Sequence, residues 1–415
     1  MSSLSIVLKQ LGYDVLGSDV KDDYFTEKEL IRNGIFYTSF DKNNIKDDYI
    51  YISSSCYNEE NVEVKEVKRR NLPFFYYHEF LANFFNGVKI GVCGTHGKTT
   101  TVSLLEKLFD DEKCVIIRGD GHGKADQEYE YYIFEACEYK DHFLYYNYDY
   151  LVINNIDLDH LDYFKDEDSI ISSFQKVANK SKCIIVNNDN DLICKIKHDN
   201  IVTFGIEKNS DFMAVIKEEN QKGFLLEINI KNSNEKILIQ LPVTGRHMIY
   251  NFLASFCIYY LNKLDIKKIQ EKLDNYHLPN RRLEEIKLKN SDNIVVVDYA
   301  HHPTEIKACL EALKQKYEKE IIVIFQPHTY SRTLKLKKEF IEVFSKLESF
   351  YLCNTFTSKR EQYDENIEKE VRSIFKNSLE FNDEVLIDIS KLSNKVILFL
   401  GAGALDKYIK TLSSL

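Results

Sequence analysis

Apolar residues along this chain gather into short runs, and each run stops at a cluster of glycine, hydroxyl or charged residues. Residues 13–16, 49–52 and 72–76 are such runs, and 88–92, 131–134 and 150–153 follow. Runs at 294–297, 321–325 and 396–400 close the series. A short apolar run bounded by turn residues predicts a buried strand. Between the runs, helical patterns cover 2–11, 58–70, 78–85, 102–109 and 304–317. Alternating strands and helices predict parallel sheets, an α/β fold that binds ligands at strand carboxyl ends. One stretch breaks the alternation. In residues 211–241 apolar positions alternate around Gly223 (Phe224, Leu226, Ile228, Ile230, then Ile237, Ile239, Leu241), which predicts an antiparallel excursion. Gly245-Arg246-His247 then opens a long apolar helix to Leu261.

A chain of 415 residues exceeds one typical core. The pattern restarts after the first three runs and again near Pro279. This predicts an N-terminal Rossmann-like segment over 1–86, a central nucleotide-binding domain over 87–280 and a further α/β domain over 281–415. With 44% hydrophobic residues, 26 Phe and 27 Tyr, the chain is well cored. A formal net charge of −10 argues against a nucleic-acid partner, which would call for a basic stripe, and favours a small anion in a locally positive site. Nine scattered cysteines without a Cys-x-x-Cys pair point to a reducing cytoplasm and no structural zinc. No apolar run approaches the roughly 20 residues of a membrane span. The first residues include Lys9 and show no signal-peptide cleavage pattern.

The stretch from Gly91 to Thr101 carries the clearest chemistry. Gly94-Thr95-His96-Gly97-Lys98-Thr99-Thr100 sits between a predicted strand and a predicted helix. Glycines let successive backbone N–H groups turn inward around a phosphate. The helix start adds its unpaired N–H groups and dipole. Lys98 supplies a positive charge for terminal phosphates, and the Thr99 hydroxyl suits Mg²⁺. The glycines fall at 91, 94 and 97 rather than in the common G-x-x-x-x-G-K-[ST] spacing, where the first position is Val92.

Other polar residues end strands. Glu135 closes 131–134, and His160 lies past 150–153. Beside a phosphate loop, both read as metal ligands with Thr99, although each alone also fits a surface carboxylate or a loop histidine. Ser18 and Asp19 follow the run 13–16. They fit a ribose contact or a plain turn equally well, because the Gly-rich loop that usually accompanies such an acid is absent. Either the true start lies upstream, or this segment has lost a phosphate cradle. Asp298, Tyr299 and His301 end another strand. Arg332 follows the next, where a solvated helix-start cation is the competing reading.

Taken in order, these segments resemble the ATP-dependent Mur ligases. The likeness rests on Gly94-Thr95-His96-Gly97-Lys98-Thr99-Thr100-Thr101, Phe134-Glu135-Ala136-Cys137-Glu138-Tyr139, Asn155-Ile156-Asp157 with Asp159-His160, Gly245-Arg246-His247, Asp298-Tyr299-Ala300-His301-His302-Pro303-Thr304-Glu305 and Phe325-Gln326-Pro327-His328-Thr329-Tyr330. It spans the chain and implies a three-domain architecture around a central P-loop ATPase domain. The reaction it implies joins L-alanine to UDP-N-acetylmuramate through an acyl phosphate, with ATP and Mg²⁺, in a monomer or weak homodimer. By that likeness Lys98 contacts the terminal phosphates, and Thr99, Glu135 and His160 surround Mg²⁺. Asn251 would contact adenine. Arg282 and Asp298 would reach phosphates and ribose. Tyr299 and Arg332 would face the alanine carboxylate, His301 would bind substrate, and Ser18, Asp19 and His78 would lie near the UDP part. A sister ligase that adds a preformed peptide, or a non-catalytic nucleotide-binding relative, shares most of these motifs. Two departures stand out: Leu334 where relatives often carry a second basic residue, and Ala404 where they often carry Asp.

Overall fold

The computed structural model describes residues 1–20, 26–160, 162–233, 235–289, 291–357 and 361–414. They fall into two compact units. The first comprises 1–157, 168–212 and 251–272, and the second 158–167, 213–250 and 273–415.

In the first unit, Val88–Cys93 lies at the middle of a sheet. Its parallel neighbours are Tyr148–Ile153 on one side and Tyr131–Glu135 on the other. Ser181–Asn187 and Ile201–Gly205 extend the first side in parallel. Cys114–Ile117 extends the other in parallel, and Gly123–Ala125 closes it antiparallel. The central strands are buried on both faces, which is why they read as continuous apolar runs. Gly91 belongs to this core and not to the phosphate loop. A Cβ there would come within 2.2 Å of the Tyr148 ring, so the strand needs glycine for packing.

The N-terminal residues alternate helix and strand as expected, but among the described residues they build two parallel pairs and no single sheet. Gly17–Ser18 pairs with Tyr37–Thr38, and Tyr51–Ser53 with Phe74–Tyr76. The strand expected at 13–16 therefore begins four residues later than its apolar run. Asp19 N–H extends the ladder by donating to Thr38 O at 3.0 Å. Partner geometry overrides local pattern at such short strands.

In the second unit, Gly223–Ile230 and Lys236–Leu241 form the expected antiparallel hairpin. Its other sheet runs in the order Glu284–Lys287, Ile294–Asp298, Lys395–Leu400, Glu320–Phe325, Phe350–Leu352, Ser378–Glu380. All pairs are parallel except the first. The carboxyl ends of its three central strands meet: Gly401 N–H donates to Asp298 O at 3.1 Å, and Gln326 N–H to Leu400 O at 2.9 Å. No helix among the described residues is long and apolar enough to cross a membrane. All nine cysteines are free thiols.

Candidate active site

The phosphate loop is set by two glycines that no other residue could replace without strain. Gly94 takes φ +126° and Gly97 φ +81°. A Cβ at Gly94 would lie 2.9 Å from Asn155 O, and one at Gly97 would lie 2.5 Å from Asn251 Oδ1. The helix begins at Lys98, directly after Gly97, and runs to Leu108. That is four residues earlier than its apolar periodicity suggests, because the threonines of the first turn carry no hydrophobic signal. Lys98 and Thr99 thus stand in the first turn, where backbone N–H groups have no intrahelical acceptor.

A second strand end holds the loop in shape. Thr95 N–H donates to Asn155 O at 3.1 Å, and His96 N–H to Asn155 Oδ1 at 2.8 Å. The Thr95 hydroxyl donates to Asp157 O at 3.0 Å and accepts from Asp157 N–H at 2.9 Å. His96 Nε2 lies 3.2 Å from Asp157 Oδ2. Asn251 is buried, and its Oδ1 accepts from the Thr101 hydroxyl at 3.4 Å.

Lys98 Nζ donates to Gly94 O at 2.6 Å, to Thr95 O at 3.2 Å and to Glu138 Oε1 at 3.1 Å. Burial alone would lower this amine's pKa, yet the charges around it, Glu138 foremost, raise it. The lysine is therefore a cation throughout the neutral range. Glu135 ends the strand Tyr131–Glu135. Its carboxylate accepts from Gly119 N–H and from the Thr99 hydroxyl. Burial nevertheless raises its pKa, with Lys98 opposing. A carboxylate whose charge is disfavoured by burial, bonded to a loop threonine, fits a divalent cation, which would relieve that cost.

Of the N-terminal candidates, the Ser18 hydroxyl donates to Glu63, and Asp19 Oδ1 accepts from Tyr57 OH at 2.7 Å. His78 is buried and stacks on His142, with ring centroids 4.1 Å apart. Burial lowers the pKa of both, and that of His142 falls to about 4.

The second unit gathers the remaining candidates. Asp298 is buried, and its two oxygens accept from Leu283 N–H and Ala300 N–H, each at 2.8 Å. Burial raises its pKa, against the charge of Arg282. The Arg282 guanidinium lies 5.2 Å from the centre of the Tyr299 ring, and that of Arg281 lies 5.4 Å from it. Arg281 Nη2 donates to Gly401 O at 2.8 Å and Gly403 O at 3.0 Å, which ties the 401–403 turn to the segment just before Glu284–Lys287. His301 Nδ1 lies 2.9 Å from Tyr299 O, and burial lowers its pKa to about 4. His160 takes φ +50°, beside Asp159. Asp159 and Arg332 form a buried ion pair, Nε to Oδ1 at 3.0 Å and Nη2 to Oδ2 at 3.2 Å.

The first unit thus brings together Gly94–Thr100, Glu135 and Asn251, while Ser18 and Asp19 bond within the N-terminal residues. The second brings together Arg282, Asp298, Tyr299 and His301, with Arg332 on the helix after the next strand. Two carboxylates were missed as site residues. Glu138 lies three positions after Glu135, and that repeated acid within one motif was the available signal. Asp159, next to His160, has no local sequence signal that sets it apart from its neighbour.

Family models match the chain in three successive stretches. Residues 1–89 match the Mur ligase family catalytic domain, 92–259 the Mur ligase middle domain, and 281–403 the Mur ligase glutamate ligase domain. A UDP-N-acetylmuramate–L-alanine ligase of Lacticaseibacillus casei is 36% identical over 422 residues, covering 100% of this chain and 96% of that one. The chain belongs to the Mur ligase family. Its architecture is accordingly the three-domain Mur ligase fold. Among solved structures, a UDP-N-acetylmuramate-alanine ligase from Thermotoga maritima superposes with a TM-score of 0.81 at 22% identity, covering 100% of this chain and 96% of that one. A murein peptide ligase from Psychrobacter arcticus superposes with a TM-score of 0.74 at 18% identity, covering 100% and 97%. At these identities the two structures speak for the shared Mur ligase fold alone.

Proposed function

We propose that this Mur ligase joins L-alanine to UDP-N-acetylmuramate, coupled to ATP cleavage, in peptidoglycan precursor synthesis. The observation that carries the reading is the full-length 36% identity to an alanine-adding relative. A lactyl carboxylate oxygen attacks the γ-phosphorus of ATP, and the bond to ADP breaks. The acyl phosphate is then attacked by the alanine amine, a tetrahedral intermediate collapses, and phosphate leaves as the amide forms.

Both steps bring anions together, so the protein's task is charge neutralisation and alignment. Lys98 and the amides at the start of the helix Lys98–Leu108 receive the terminal phosphates. Thr99, Glu135 and His160 would hold Mg²⁺, which when bound neutralises phosphate charge. Asn251 faces adenine, and Arg282 and Asp298 serve phosphates and ribose. Tyr299, His301 and Arg332 receive the amino acid, and Ser18, Asp19 and His78 the UDP part. The three domains span 1–86, 87–280 and 281–415, and closure precedes chemistry. The free thiols fit a cytoplasmic enzyme.

Phosphate release from MgATP tests the reading. Release that requires both UDP-N-acetylmuramate and L-alanine supports it. Release supported by a preformed peptide but not by alanine replaces it with the sister ligase. No release under either condition makes the chain a non-catalytic relative.

A further inference from the structure

Arg332 has five N–H donors, and its neighbours engage four of them. Nε and Nη2 form a parallel fork on Asp159, at 3.0 and 3.2 Å. Nη1 lies 2.8 Å from His328 Nδ1 and donates to His328 O at 3.3 Å. A guanidinium only donates, so His328 Nδ1 presents its lone pair and the ring proton sits on Nε2. Arg332 and Asp159 are each 7% exposed.

The backbone beneath Arg332 is fixed as well. Thr329, at the start of its helix, takes φ +66° and ψ 140°, a strained conformation for a β-branched residue. The Thr333 hydroxyl donates to Thr329 O at 2.9 Å. Tyr330 N–H and Ser331 N–H donate to Glu361 at 2.6 and 3.1 Å.

We infer that Asp159 is a positioning residue for the amino-acid end of the site: it fixes the plane of the Arg332 guanidinium and decides which donor a substrate carboxylate meets. The inference rests on the alanine-ligase reading above. A substrate carboxylate cannot take the Nε–Nη2 fork, which Asp159 occupies. A bidentate grip on the Nη1–Nη2 edge would displace His328. The carboxylate therefore meets Arg332 through the remaining Nη2 N–H, and the direction of that single donor is set by Asp159.

The test is steady-state kinetics on the full chain for the wild type, Asp159→Asn, Arg332→Ala and the double variant. Asp159→Asn should raise KM for L-alanine about tenfold or more and leave KM for MgATP within about twofold. Added to Arg332→Ala, it should raise the alanine KM no further, because its effect passes through the guanidinium. Equal rises in both KM values, or additive effects in the double variant, overturn the inference. Should Asp159→Asn fail to fold, Asp159→Glu, which keeps the charge, is read by the same criteria. A wild-type chain without alanine-dependent phosphate release removes the ligase reading and this inference together. A wild type that passes, with Asp159 variants indistinguishable from it, removes the inference alone.

Discussion

Lys98 with Glu138 is a partly buried ion pair and Arg332 with Asp159 a buried one, one in each unit, and they hold a cation in opposite ways. Lys98 is a point charge on a flexible stem, and two of its three contacts are backbone carbonyls of its own loop. It can turn toward an arriving phosphate and give up a carbonyl at small cost. Arg332 is a planar fork clamped on one edge by a carboxylate and on another by a histidine. It cannot turn without breaking several charge-assisted bonds at once. On the proposed function, the difference matches two tasks. Phosphoryl transfer needs a charge that follows the moving phosphate, whereas amine attack needs a carboxylate presented in one direction.

The largest test of that contrast is at Lys98. Lys98→Ala should lower kcat by about 10³-fold or more with an unchanged far-UV spectrum, since it removes the charge that acts during phosphoryl transfer. Lys98→Arg should fail to restore it, because a planar fork cannot copy a rotating ammonium. Restored turnover would erase the distinction between the two pairs. At the other pair, Arg332→Ala should raise KM for the amino acid by about 10–100-fold and that for ATP far less. Equal changes would remove Arg332 from the amino-acid end. A smaller effect tests the loop itself. Gly97→Ala forces a Cβ onto φ +81° and against Asn251, and should cost about 1–3 kcal/mol in chemical denaturation. An unchanged midpoint would mean that the loop is softer than its hydrogen bonds indicate.

The smallest effect concerns pH. His142, His247 and His301 all have a pKa lowered from 6.5 to about 4, chiefly by burial. Between those values the unfolded chain binds protons that the folded chain refuses, so stability rises with pH across that window and falls as pH drops from 6.5 toward 4. Below about pH 4 these groups add no further loss. Thermal midpoints measured from pH 4 to 7 should show this slope, and His301→Gln should flatten part of it. An unchanged slope in that variant would mean that His301 is hydrated.

The phosphate loop was legible because its chemistry admits few residue types, and they are adjacent in sequence. Its role for Gly91 was misread, since a strand glycine packed under a tyrosine looks the same in sequence as a loop glycine. The early helix start was hidden by threonines. The ion pairs were not legible at all: Glu138 meets Lys98 across 40 residues, and Asp159 meets Arg332 across 173. No local pattern records such pairing. The strand expected at 13–16 failed for a related reason, because its ladder is decided by the position of Tyr37 and Thr38.

The account stands on phosphoryl transfer from ATP to a carboxylate before the amine attacks. UDP-N-acetylmuramate labelled with heavy oxygen in its lactyl carboxylate tests this directly, by mass analysis of the phosphate released during alanine-dependent turnover. The account predicts one heavy oxygen carried into each released phosphate, with the other kept in the amide carbonyl. Unlabelled phosphate accompanying product would contradict it, and would mean that this site activates the carboxylate by some other route.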